Sequence, residues 1–286
     1  MSISSLGILH PGKMGSTIAA SAKAGVPRVL WASDGRSKIT AQRAAAAGLE
    51  DTGTLADLVS ISDVIVSVCP PHAAEAVARE VAALGFRGLY ADANAISPAR
   101  ARTIADIIRG GGAQFVDGGI IGGPVQRPGT TRLYLSGEGA DVVAACFAGS
   151  PLETIVMEGG AGSASALKMA YAAQTKGTTA LLAAILAMAR HEGVEGTLFE
   201  EWERSQSGLG ERALRQLEGA ADRAWRWVGE MEEIAATFEA AGLPGGFHLA
   251  AADIYRRLES YADVESPPSG SILVQDLLDA GKAARH

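Results

Sequence analysis

At 286 residues, with 48% hydrophobic and 20% charged positions, the chain has the make-up of an ordinary soluble globule and the length of two domains of ~100–200 residues each. A net charge of −7 with Lys and Arg thinly spread excludes a phosphate-neutralising surface, so no nucleic-acid partner is expected. Cys69 and Cys146 are the two cysteines; with no zinc-type His/Cys spacing and no signal-peptide pattern in MSISSLGIL, they exclude a disulfide framework and a metal site and fit a reducing cytoplasm.

The first predicted strand, Leu6–Leu9, runs into His10-Pro11-Gly12-Lys13-Met14-Gly15 and a predicted helix over Met14–Ala24. In a dinucleotide fold the glycines of such a loop permit a tight turn, let the backbone approach a pyrophosphate and bring strand and helix close. The helix N-terminus stabilises the negative charge. Gly12 and Gly15 hold the second and third glycine positions, His10 stands in the first, and all six residues from His10 to Gly15 are cofactor-binding candidates. The second strand, Arg28–Ala32, ends in Ser33-Asp34-Gly35-Arg36-Ser37, ahead of a helix over Lys38–Ala47. An NAD site places an acid here, on the adenosine ribose. The spacing puts Ala32 or Ser33 at that place, and Ser33, Arg36 and Ser37 make a cradle for a 2′-phosphate, because arginine offers a forked set of donors. NADP is therefore the expected cofactor. The alternative is NAD, with Asp34 on the ribose and Ser37 capping the helix.

After a helix at Leu55–Ser60, strand Asp63–Val68 is apolar on both faces, as a central parallel strand should be. It ends in Cys69-Pro70-Pro71, before a helix over His72–Leu84. Strand Gly88–Asp92 ends in Ala93-Asn94, before a helix at Pro98–Arg109. Both strand ends face the crevice of an open α/β sheet, where the nicotinamide half would lie, so Cys69, Pro70, Pro71 and Asn94 join the cofactor candidates. Strands Gln114–Asp117, Thr131–Leu135 and Glu153–Met157, with a helix at Ala140–Phe147, complete a doubly wound α/β Rossmann domain placed at 1–158. Strands then disappear, and 159–286 reads as an all-α domain. Its helices are predicted at Ser163–His191, Leu198–Ser205, Gly210–Leu217, Ala221–Ala241, Gly246–Tyr261 and Ile272–Ala283. Lys168, Gln174 and Lys176 interrupt the apolar run from Ala161 to Ala189, which argues for a buried helix and against a membrane.

These residues resemble the β-hydroxyacid dehydrogenase superfamily, which includes 6-phosphogluconate and 3-hydroxyisobutyrate dehydrogenases and, more distantly, imine reductases. The family's G-L-G-x-M-G loop matches His10 to Gly15. Its D-x-x-x-S-G-G substrate segment matches Asp117-Gly118-Gly119-Ile120-Ile121-Gly122-Gly123, and its G-x-x-x-K-x-x-N-N helix matches Ala164 through Lys168 to Ala172. The stretch Trp225-Arg226-Trp227-Val228-Gly229-Glu230-Met231-Glu232-Glu233-Ile234 looks like a poorly characterised helical domain that recurs behind such Rossmann domains. The resemblance implies a substrate-binding role for Ile121, Gly122 and Gly123 and a catalytic lysine in Lys168. It also shows departures. Ile121 replaces a serine that helps hold a substrate carboxylate, Tyr171 and Ala172 replace the asparagines, and Glu232-Glu233 falls where a Lys-Asp pair is usual. Such changes fit a substrate more hydrophobic, neutral or cationic than a simple hydroxyacid.

On the long helix Lys168, Tyr171, Ala172, Thr175 and Thr179 share one face, expected to look into the cleft between the domains. A lysine flanked by Leu167, Met169 and Ala170 must snorkel or meet polar partners. Lys168 is the candidate for handling the proton as hydride moves, a role lysine suits because partial desolvation brings an ammonium towards the working pH. Tyr171 is the second catalytic candidate, or else a core tyrosine with a satisfied hydroxyl. Thr175 and Glu233 are candidate substrate contacts, and Glu230 and Glu233, on one helix face, suit a cationic ligand or the orienting of Lys168. The expected function is NADP-dependent hydride transfer to or from a small alcohol/ketone substrate. Imine reduction and a non-catalytic NADP-binding sensor are the alternatives. A homodimer is expected, because the Ala/Leu surface of the long helix exceeds what one small helical domain covers.

Overall fold

The computed structural model describes residues 3–283. The chain divides into two compact units that part between Met169 and Ala170. The first carries strands β1 (Ser5–Leu9), β2 (Arg28–Trp31), β3 (Glu50–Asp51), β4 (Val64–Ser67), β5 (Leu89–Asp92), β6 (Gln114–Gly122), β7 (Thr131–Ser136) and β8 (Glu153–Val156). They form one sheet in the order β3-β2-β1-β4-β5-β6-β7-β8, parallel except where β6 meets β7. Helices α1 (Lys13–Ala22), α2 (Lys38–Ala46), α3 (Leu55–Ile61), α4 (Ala74–Ala83), α5 (Pro98–Gly110) and α6 (Ala140–Ala145) cross between the strands.

Alternation along each strand explains why both faces of the sheet are covered. Leu6, Ile8, Val64, Val66 and Val116 pack on one side with Ile18, Ala19 and Ala22 of α1. Leu9, Ile65, Tyr90 and Phe115 pack on the other with Val77 and Val81 of α4 and Ile104 and Ile108 of α5. Each such buried Val, Leu, Ile or Phe side chain contributes ~1.5–3 kcal/mol. Because β1 lies between β2 and β4, the chain leaves it in opposite directions along the sheet, and the carboxyl ends of β1 and β4 open a crevice at that switch point.

The second unit contains the rest of α7 (Ser163–His191), then α8 (Glu195–Ser205), α9 (Leu209–Ala221), α10 (Ala224–Ala240), α11 (Gly246–Arg256) and α12 (Gly270–Ala283). Its interior is apolar: Met231, Ile234, Ala252, Tyr255, Leu273, Val274 and Leu277 are all buried. No helix among the described residues is long and apolar enough to cross a membrane.

Several elements differ from the sequence expectation, α8 and α9 by starting earlier or ending later than expected. The strand expected at Gln114–Asp117 continues to Gly122, because antiparallel pairing with β7 carries the glycine run along as β6. The two-residue β3 is too short and too exposed to leave an alternating pattern. The helix expected over Ala221–Ala241 begins at Ala224, since Ala221 closes α9. The helix expected to reach Tyr261 stops at Arg256 and is followed by a 3₁₀ turn at Glu259–Tyr261. The units part inside α7, whereas composition placed the boundary at 158/159, where the last strand ends.

Candidate functional site

The buried strand β1 delivers the chain to His10, whose φ of 68° is left-handed although it is not glycine. The turn closes with Gly12 N–H donating to the His10 carbonyl at 2.7 Å, and α1 starts at once. A Cβ on Gly15 would stand 2.4 Å from the His10 carbonyl oxygen, so this position must be glycine for helix and strand to approach. A Cβ on Gly12 would find nothing closer than 4.0 Å, so Gly12 answers no crowding within the protein. The first turn of α1 has no side-chain cap and no acidic residue. Its N–H groups and the positive end of the helix are thus suited to a pyrophosphate, and the loop fits a dinucleotide. Of the loop side chains, Met14 packs on the sheet core, Pro11 is buried and Lys13 is exposed.

Beside this loop lies a pocket of about 180 Å³ lined by Ile8, His10, Ala32, Asp34, Arg36 and Glu80, among others. Arg36 and Asp34 both reach it, so the residues that would favour NADP and NAD meet in one place. Ser33 is half-buried at the end of β2. Ser37 is the N-cap of α2: its hydroxyl accepts from Thr40 N–H at 3.2 Å and meets the Thr40 hydroxyl at 3.1 Å. The capping role weighed for Ser37 is therefore present.

At the ends of β4 and β5, Asn94 ties two strands together. Its Oδ1 accepts from Cys69 N–H at 2.5 Å, its amide donates to the Ser67 hydroxyl at 3.1 Å, and its own N–H donates to Asp92 Oδ1 at 3.0 Å. Asn94 is 2% exposed, so its side chain braces the wall of the crevice. Burial pushes the Cys69 thiol up to about 12, which makes it an inert wall group. Pro70 and Pro71 lead into a 3₁₀ turn at Pro71–Ala73.

Where β6 passes the start of α7, the first unit holds its most specific arrangement. Asp117 is fully buried and accepts three bonds: Gly162 N–H and Ser165 N–H at 2.9 Å each, and the Ser165 hydroxyl at 2.6 Å. The carboxylate thereby caps α7 and complements its positive end. Ser136 of β7 adds a second tie, donating to the Gly160 carbonyl at 3.0 Å and accepting from Ala164 N–H at 3.1 Å. A Cβ on Gly119 would lie 2.7 Å from the Ala164 carbonyl oxygen and 3.2 Å from Lys168 Cβ. Lys168, half-buried, therefore stands directly over Gly119, at the carboxyl edge of the sheet where the glycine loop also lies. Ile121, 4% exposed, shares with Asp117 and Gly119 the face of β6 that α7 overlies. Gly122, at φ 115°, turns the chain out of the strand, and Gly123 is exposed, its carbonyl accepting from the Thr131 hydroxyl at 2.8 Å.

Within the second unit, Tyr171 is 45% exposed, and Thr175 donates its hydroxyl back to the Tyr171 carbonyl at 3.1 Å. Glu233 is buried on α10 at 6% exposure. Glu230 forms an ion pair with Lys176, so the acid considered for orienting Lys168 is committed to a different lysine. The Lys176 ammonium sits 4.8 Å from the Trp227 ring centre, Tyr255 meets that ring edge-on at 5.2 Å, and the Tyr255 hydroxyl donates to the Lys176 carbonyl at 2.6 Å. The sequence singled out Lys176 as a break in an apolar run and Trp227 as part of a recurring segment, without joining them. Their partnership spans 54 positions for Lys176 and Glu230 and leaves no local signal.

Comparison with known proteins agrees with this geometry. Residues 5–146 match the NAD binding domain of 6-phosphogluconate dehydrogenase, and residues 189–258 match a domain of unknown function, DUF1932. An uncharacterized 28.5 kDa protein of Methanothermus fervidus, from a 7S RNA 5′ region, is 30% identical over 202 residues, covering 70% of this chain and 77% of that protein. Mycobacterium tuberculosis 3-hydroxyisobutyrate dehydrogenase, solved with L-serine, superposes with a TM-score of 0.69 at 18% identity over 96% of this chain and 99% of that one. A reductive aminase from Aspergillus terreus, solved in complex with NADPH4, cyclohexanone and allyl amine, gives 0.55 at 18% identity over 96% and 99%. At these identities the two structures show a shared fold.

Proposed function

We propose that this chain, which belongs to the 6-phosphogluconate dehydrogenase-like family of NAD-binding proteins with a DUF1932 helical domain, is an NADP-dependent oxidoreductase acting on a small alcohol or ketone. When bound, the nicotinamide gives or takes the hydride. The protein's part is to bind, orient and handle the proton. The uncapped N–H groups after Gly12 hold the pyrophosphate, and Arg36, beside Ser33, takes the 2′-phosphate. Lys168, as an ammonium, gives a proton to the substrate oxygen on reduction and, as the neutral amine, takes the hydroxyl proton back on oxidation. The observation that carries this reading is the placing of Lys168: a carboxylate-capped helix start and a glycine step in β6 fix its Cβ at the sheet edge that the cofactor loop shares. Tyr171, further along α7, is the reserve proton donor. The two cysteines free of disulfide support a cytoplasmic setting.

Imine reduction is the second reading. It is supported by the apolar Ile121 in place of a carboxylate-binding serine and by the fold shared with a reductive aminase. A panel of alcohols, ketones and imines assayed with NADP and NADPH separates the two. In the reactive case Lys168→Met is expected to lower kcat by ~10²–10⁴ while NADP affinity and melting temperature stay near the wild type, because the stem's volume is kept and the charge is lost. A variant retaining more than about a tenth of kcat moves the proton to another group, and a panel without any turnover favours a nucleotide sensor.

A further inference from the structure

The glycine loop holds a histidine at the position where its backbone is left-handed, φ 68°, a conformation in which glycine is at ease and a Cβ is not. A strained side chain kept at such a turn points to a task for the side chain itself. The His10 ring lines the pocket of about 180 Å³ together with Arg36 and Asp34. Its Nδ1 is enclosed and has no hydrogen-bond partner among the described residues. A buried imidazole nitrogen without a partner, on a residue that lines a pocket, is a polar group whose hydrogen-bonding capacity the protein itself does not use.

Burial first, and the Arg36 guanidinium second, hold His10 down to about 4, so the ring is neutral in the free protein at ordinary pH. The charged groups around the pocket are Arg36 and Asp34, from the turn after β2, and Glu80 of α4, while Lys13 follows in His10's own loop. Cys69, after β4, is an uncharged thiol.

We propose that His10 is a specificity residue for a nucleotide carrying a phosphate on its adenosine ribose, and that it binds a proton from the buffer as that phosphate enters beside Arg36. The proposal rests on the NADP reading above. A ribose phosphate brings about −1.5 to −2 charges, which outweigh the Arg36 cation and reverse the field at the ring. The imidazolium then donates a charge-assisted hydrogen bond to a phosphate oxygen. NAD offers a neutral hydroxyl at the same place, so with NAD the ring stays neutral. The complex with NADP thus holds more protons than the free protein, and its affinity rises as pH falls while that of NAD stays flat.

Titration calorimetry with NADP and with NAD, in two buffers of different ionisation enthalpy, reads the proton directly. The wild type, His10→Gly and His10→Asn are compared between pH 6.5 and 8.5. Glycine restores the residue the turn favours and asparagine tolerates left-handed backbone, so both variants should fold. The phosphate's own ionisation near about pH 6 is carried equally by all three proteins and cancels in the comparison. The expected result is proton uptake by the wild type with NADP and none with NAD. The NADP-over-NAD ratio should grow by about fivefold to tenfold from pH 8.5 to 6.5, and both the uptake and the pH slope should be lost in the two variants. NADP bound more tightly than NAD without proton uptake, or with uptake that persists in His10→Gly, overturns the role of His10 and leaves the NADP reading standing. NADP bound no more tightly than NAD at any pH overturns both.

Discussion

Asp92 and Asp117 are register partners on β5 and β6, both buried, yet only Asp117 is well served. Asp117 accepts three donors from the start of α7, whereas Asp92 accepts one, from Asn94, and its Oδ2 has no partner among the described residues. Burial, with the neighbouring Asp117 adding to it, raises Asp92 to about 7. A carboxyl raised in the folded state holds its proton where the unfolded chain has released it, so its contribution to stability falls as pH rises from about 4 to about 7, by roughly 1.4 kcal/mol per pH unit. Asp92→Asn keeps an acceptor for the Asn94 N–H and carries no charge. The variant should therefore melt above the wild type at pH 8, with the difference shrinking towards pH 5. Thermal melts across that range check this, and a difference that is independent of pH would place the titrating group elsewhere.

At the scale of elements, β6 and the first turns of α7 form one device, since a side chain at Gly119 would collide with the Ala164 backbone. Gly119→Ala puts a methyl 2.7 Å from the Ala164 carbonyl, so the helix start must move away from the strand. Overpacking of this kind costs ~1–3 kcal/mol; if Lys168 acts as proposed, kcat should also fall with little change in nucleotide affinity, as steady-state rates and calorimetry on one preparation would reveal. Much of the fold was legible because its signals are local: the alternation of β1 and β4, the glycine turn after β1, and the proline-free run of α7. The extension of β6 was not, because a glycine pair reads as loop until β7 is beside it and α7 above it. Asn94 was placed correctly at a strand end, but its bracing role depends on Ser67 and Cys69, 27 and 25 positions away. Lys168 was singled out by motif and the Lys176 pair was not, because a motif records sequence and an ion pair records distance.

For the whole molecule, the second unit leaves apolar surface on α7: Leu181 is 56% exposed and Met188 is 54% exposed, one heptad apart on the same helix face. We propose that a second copy of the chain covers this face in a homodimer. Light scattering at micromolar concentration should report twice the monomer mass of 29.3 kDa, and Leu181→Lys with Met188→Lys should return the monomer without changing its secondary structure. A monomeric wild type would set the dimer aside. The passage of α7 from one unit to the other between Met169 and Ala170 bears on how this protein can be taken apart. No linker marks the joint, so a protease that seeks slack chain finds helix there. A fragment ending with β8 at Val156 would lack Gly162 and Ser165, strip Asp117 of its three donors, and bare the glycine face of β6. The nucleotide-binding unit is therefore finished by residues that sequence composition assigns to its neighbour, and an excised version of it needs the opening turns of α7, with Lys168 among them, to be whole.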